Sequence, residues 1–141
     1  MTDTFLLHFP VLAIARDGVL NSVNDEQELC TASRHALVSG YFRGLTLIDS
    51  CGRSWIVDRA RKIASVNRLV GWLGFGLIRV KLCLRINGHL NVDQAKTLVL
   101  GAVDRCPEQW EGALDGIKAI KDRIARAGSI QSLVQIFIGE A

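Results

Sequence analysis

Three histidines and four cysteines are the residues whose types could carry acid–base, nucleophilic or metal chemistry: His8, His35 and His89, with Cys30, Cys51, Cys83 and Cys106. Their spacing does not organise them. There is no C-x-x-C pair, no H-E-x-x-H and no EF-hand pattern, so no local set of metal ligands converges. A G-x-S-x-G elbow is missing too. Cys30 and His35, five residues apart in a segment that reads as helix, would point to different faces and make no dyad. The run Gly71-Trp72-Leu73-Gly74-Phe75-Gly76 lacks a Gly-Lys-Ser/Thr ending and leads toward a strand, not a helix, so it cannot cradle phosphate as a P-loop does. The expectation is no catalytic residue, no metal and no organic cofactor. A small enzyme whose residues no local motif advertises stays open as an alternative.

The chemistry the chain does advertise is charge. Between Ser50 and Leu90 stand Arg53, Arg59, Arg61, Lys62, Arg68, Arg79, Lys81 and Arg85 against the single acid Asp58, a net of +7 where the whole chain carries +3. From Leu77 to Ile86 apolar and polar residues alternate strictly: Ile78, Val80, Leu82, Leu84 and Ile86 on one parity, Arg79, Lys81, Cys83 and Arg85 on the other. A strand with this pattern has one buried face and one basic face, and a one-residue slip would bury three cations. Arg79, Lys81 and Arg85 are the predicted polar contact face, with Trp72 and Phe75 as candidate aromatic anchors. The acidic start Asp25-Glu26-Glu28 of a predicted helix is a rival face. Nucleic acid or another anionic ligand could use the basic 50–90 region. Sheet-based sequence readers put stacking aromatics on such a face, whereas here it offers Cys83, which leaves phosphate-only contact. The bland reading is that these cations are solvated or pair with acids of neighbouring elements.

The elements that must position these residues follow from periodicity and punctuation. Phe5–Ile14 and Val19–Val23 read as two strands joined through Arg16-Asp17-Gly18, with Pro10 demanding an edge or a bulge. Asn24 reads as the cap of a helix with Gln27 closing a capping box, with Leu29, Ala32, Ala36 and Leu37 as its buried stripe and Gly40 as its stop. Leu45–Asp49 and Ser54–Asp58 read as a second hairpin, while Arg59 to Arg68 is ambiguous. Asn87-Gly88 reads as a turn out of the alternating strand. Asn91 and Gln94 form a capping box before the stripe Val92, Ala95, Leu98, Val99, Ala102, Val103 and Cys106, which places Cys106 in the core. Pro107 ends or re-aims that helix. Leu114, Ile117, Ile120, Ile124 and Ala127 trace a further helix, and Ser129 caps a last one. Strands come before residue 87 and helices after it. The expected fold class is therefore α+β: a single domain over 1–141, its mainly antiparallel N-terminal sheet packed against C-terminal amphipathic helices.

A chain of 141 residues, 49% hydrophobic and 22% charged, is of ordinary one-domain size and not disordered in composition. The N-terminus has no basic n-region, and the longest uncharged apolar run elsewhere, Leu69–Ile78, is too short to span a bilayer. The expectation is a cytoplasmic protein with reduced thiols and no membrane partner. The segments Phe9-Pro10-Val11-Leu12 before Asp17-Gly18, Gly44-Leu45-Thr46-Leu47-Ile48-Asp49 with its Gly52 turn, Trp72 to Gly76, and Pro107-Glu108-Gln109-Trp110 before two helices resemble small bacterial proteins that include immunity partners of polymorphic or contact-dependent toxins. That resemblance implies a non-catalytic protein that neutralises a cognate toxin domain by direct binding. No family residue carries over. Inhibitors of nucleic-acid-cleaving toxins are often acidic, whereas this chain is net basic.

Overall fold

The computed structural model describes residues 7–33, 40–65, 77–112 and 116–137. In chain order the elements are β1 (Val11–Ile14), β2 (Leu20–Val23), α1 (Glu26–Leu29), β3 (Thr31–Ser33), β4 (Thr46–Ile48), β5 (Arg53–Ser65), β6 (Leu77–His89), α2 (Val92–Arg105), α3 (Glu108–Glu111), α4 (Gly116–Arg126) and α5 (Ile130–Gln135). The strands form one six-stranded antiparallel sheet in the order β2-β1-β4-β5-β6-β3. Sheet first, helices last, is the α+β arrangement that the sequence predicts.

Each face of the sheet has its own core. Val11, Ala13, Leu47, Trp55, Val57, Val80, Leu82 and Leu84 point to one side and pack with Phe42, Leu45 and Leu29. Leu12, Ile14, Leu20 and Ile48 point to the other, where Ala95, Val99, Ala102 and Val103 of α2, Ile120 and Ile124 of α4 and Leu133 and Val134 of α5 cover them. β1 is thus buried on both sides, which is why it reads as an unbroken apolar run. The helices are fastened to the β2 edge by polar bonds: the Gln109 side chain accepts from the Leu20 N–H at 2.9 Å and donates to its carbonyl at 2.7 Å. The Ser22 hydroxyl donates to the Val134 carbonyl at 2.6 Å. α1 packs against both β2 and β3, the two edge strands, so the sheet curls until a single helical turn bridges its edges. Three register shifts between β5 and β6 supply extra twist for that curl.

Several expectations need correction. The helix predicted from Asn24 toward Gly40 is only α1, capped by Asp25, whose carboxylate accepts from the Glu28 N–H at 2.8 Å. The chain then turns into β3, because the edge of β6 offers Thr31, Ala32 and Ser33 a ladder and the Cys30 carbonyl accepts from the Val80 N–H at 2.8 Å. A tertiary edge overrides a helical pattern there; Ala36 and Leu37 lie outside the described residues. Pro10 does not interrupt an edge strand. It follows a cis peptide bond just before β1, which is an interior strand. β6 does not turn at Asn87-Gly88 but runs on to His89, and the Arg59–Arg68 ambiguity resolves as strand as far as Ser65. Ile78, Val80, Leu82 and Leu84 are buried as alternation requires, but Ile86 is 56% exposed. Ile86 still pairs with buried Trp55 in unbroken register with Leu84, and the register shift falls one residue later, at unpaired Asn87. The capping box at α2 and the Ser129 cap of α5 are as predicted.

Candidate anion-binding face

The face that the helices cover over β1, β2 and β4 continues sideways onto β5 and β6. The row Ile14, Thr46, Ile56, Arg85 runs across it through the cross-strand pairs, passing from buried Ile14 through half-buried Thr46 and Ile56 to exposed Arg85. From that row the outward pairs of the β5–β6 ribbon are Ile56 with Arg85, Arg59 with Cys83, Arg61 with Lys81, and Ala64 with Arg79. Each of these four rungs bears at least one cation. Successive same-face rungs stand about 7 Å apart, so the track is roughly 20 Å long.

The strand register explains how the cations come to share a face. Alternation places Arg79, Lys81 and Arg85 together on β6. On β5, parity alone would set Arg59 and Arg61 beside Trp55 and Val57, which are buried. The extra residue at the Val57–Arg59 register shift moves them to the outside, and Asp58 is the residue squeezed out. Arg59, Arg61, Arg79, Lys81 and Arg85 are all exposed.

The bland alternative, pairing with neighbouring acids, accounts for two of the cations between Ser50 and Leu90. Arg53 Nε lies 3.1 Å from Asp49, whose fully buried carboxylate also accepts from the Cys51 and Arg53 N–H groups at 3.0 Å and fixes the β4–β5 turn. Arg85 Nε lies 3.4 Å from Asp58, with both side chains half-exposed, a geometry worth at most about 1 kcal/mol. Among the described residues Arg59, Arg61, Arg79 and Lys81 meet no carboxylate within ion-pair distance. Arg61 stands directly opposite Lys81, and like charges in that relation are destabilising. A hydrogen bond to Cys83 raises the Arg59 pKa further above its already high ordinary value, so the guanidinium stays charged.

Of the residues predicted for partner contact, Arg79, Lys81 and Arg85 are brought together on this face, while Trp72 and Phe75 lie outside the described residues. Arg59 and Arg61 complete the face. They belong to the basic middle of the sequence, but only the bulge at Asp58 reveals their side. The rival acidic face is partly committed elsewhere: Asp25 caps α1, and the Glu28 carboxylate accepts from the Asn24 N–H at 3.1 Å.

The groups that could do chemistry are scattered. His8 and His89 are exposed, Cys51 is exposed in the β4–β5 turn, and Cys83 is half-buried on the basic face. His35 lies outside the described residues. Cys106, expected in the core, is half-buried at the C-terminus of α2, because the helix ends there and the chain re-aims into Pro107. Its thiol is held above its ordinary pKa mainly by a hydrogen bond with Glu108. No cluster of three or more His, Cys, Asp or Glu among the described residues could hold a metal ion, and no helix among them is long and apolar enough to cross a membrane.

One cleft, of about 330 Å³, is lined by Ala15, Arg16, Asp17 and Tyr41. The Arg16 stem lies along the bare backbone of Gly44 and its guanidinium donates to the Gly40 carbonyl at 3.3 Å. Burial pushes the Tyr41 phenol above its ordinary pKa, against a hydrogen bond with Asn21 that lowers it. The phenol therefore keeps its proton at pH 7. Compared with protein-family models, with curated proteins and with solved structures, the chain finds no match.

Proposed function

We propose that this chain is a non-catalytic binding module that holds an anionic macromolecule against the outer face of β5 and β6. The observation that carries the reading is the ribbon itself: four successive outward rungs each bear a cation, and four of the five cations have no acid partner among the described residues. A face that serves only to stay wet gains nothing from setting Arg61 opposite Lys81. Mixed signs would keep it soluble and add stability. A partner that brings the missing negative charge turns this repulsion into attraction on binding.

A second reading, neutralisation of a cognate toxin domain, is favoured by the apolar residues near these cations. Ile56 is half-buried on the face, and Ile63 is 58% exposed where β5 shifts register again. Apolar anchors ringed by arginines suit a protein contact. In that case an acidic patch of the toxin would meet Arg79, Lys81 and Arg85.

Retention on a heparin column separates a dedicated face from net charge. Arg61→Glu with Lys81→Glu should elute at much lower salt than the unaltered chain. Lys118→Glu with Arg126→Glu, the same charge change on exposed positions of α4, should elute close to it. Equal shifts from the two pairs would mean that only total charge matters and would remove the proposed face.

A further inference from the structure

We infer that the occupant of this face is the phosphate backbone of an extended single strand of nucleic acid, a step that rests on the binding face proposed above. The paired cations of this face are uniform in sign. No outward rung carries an acid, and the one acid of β5 and β6, the bulged Asp58, is already engaged by Arg85. Protein contacts usually interleave both signs and deplete charge at their centre, whereas a phosphodiester chain offers nothing but negative charge.

The cation-bearing rungs recur about every 7 Å along the ribbon. Neighbouring phosphates of one strand stand at a comparable separation; in a duplex they wind around an axis that rises only about 3.4 Å per nucleotide, whereas on a strand drawn out along the sheet they stay in line with the rungs. Arg85, Arg59, the Arg61–Lys81 pair and Arg79 can thus meet successive phosphates. The other outward residues with described side chains are Ile56 and Cys83, neither of which can stack on a base or read its edge. Contact through phosphate alone does not distinguish RNA from DNA or one sequence from another.

The test uses the whole purified chain and a fluorescein-labelled 20-nucleotide oligo-dT, followed by fluorescence anisotropy. Binding is expected with a dissociation constant on the order of 10⁻⁵ M at low salt, falling about 50-fold between 50 and 200 mM salt if four phosphates are neutralised. Arg61→Glu with Lys81→Glu should abolish it, and Arg61→Gln with Lys81→Gln should weaken it at least tenfold. Circular dichroism of both variants should match the unaltered chain. Lys118→Glu with Arg126→Glu should leave binding within about twofold. Tighter binding to the same length of duplex would overturn the extended single strand. Binding of poly-glutamate but not the oligonucleotide, lost in the Arg61/Lys81 variants, would overturn nucleic acid while keeping the face. Binding of neither polymer would overturn both.

Discussion

Leu82 and Ile86 occupy equivalent positions in the sequence alternation but different environments in the fold, so truncating each separates the register from the pattern. Leu82 is 2% exposed on the inner side of β6, opposite Ala60 and among Val57, Val80 and Leu84. Leu82→Ala removes three buried carbons, about 2.4 kcal/mol at roughly 0.8 kcal/mol each. The cross-strand neighbour is itself only an alanine and cannot swing in to fill the space. A cavity penalty therefore adds to the transfer loss, for a total of about 3–4 kcal/mol. Ile86→Ala, at a position more than half exposed, should cost less than about 1 kcal/mol. In urea, with a slope near 1.5 kcal/mol per molar, the first variant should lower the unfolding midpoint by roughly 2 M and the second by well under 1 M. Equal shifts for the two, or a loss below about 1 kcal/mol for Leu82→Ala, would refute the register.

The chain holds a single tyrosine, so its phenolate absorbance reports Tyr41 alone. The folded protein should titrate above the usual value of about 10 and the unfolded chain near it. Below pH 10 the phenol is neutral in both states and contributes nothing. Above it the unfolded chain ionises first, so stability should fall as pH rises through that window; a folded-state midpoint below 10 would contradict the burial. Asn91→Ala removes the side chain that accepts from the Gln94 N–H at 2.8 Å and should cost about 1 kcal/mol by urea titration. No measurable loss would mean that the capping box does not hold the start of α2.

What the sequence made legible were features whose determinants are local. The alternation in β6 predicts which of its cations share a face, because a slip would bury Arg79, Lys81 and Arg85. Asn91 and Gln94 mark the start of α2 because a capping box needs only its own residues. The β3 edge was not legible: Leu29, Ala32, Ala36 and Leu37 do recur at helical spacing, and only the unpaired edge of β6, distant in sequence, draws Thr31–Ser33 into a strand. The outward turn of Arg59 and Arg61 depends on a single extra residue in a ladder, and a period-two pattern read along one strand carries no record of such an extra residue. Half of the candidate site was therefore visible in β6, and the half on β5 waited on the bulge at Asp58.

The central claim is that anions bind at the outer face of β5 and β6. It is tested most directly by backbone amide chemical shifts of the isotopically labelled protein during titration with inorganic polyphosphate. The largest shifts should fall at Arg59, Arg61, Arg79, Lys81 and Cys83, with the amides of Lys118 and Arg126 on α4 nearly still. Shifts centred on α4, or on Arg16 and Tyr41 at the cleft, or spread evenly over every exposed cation, would contradict it.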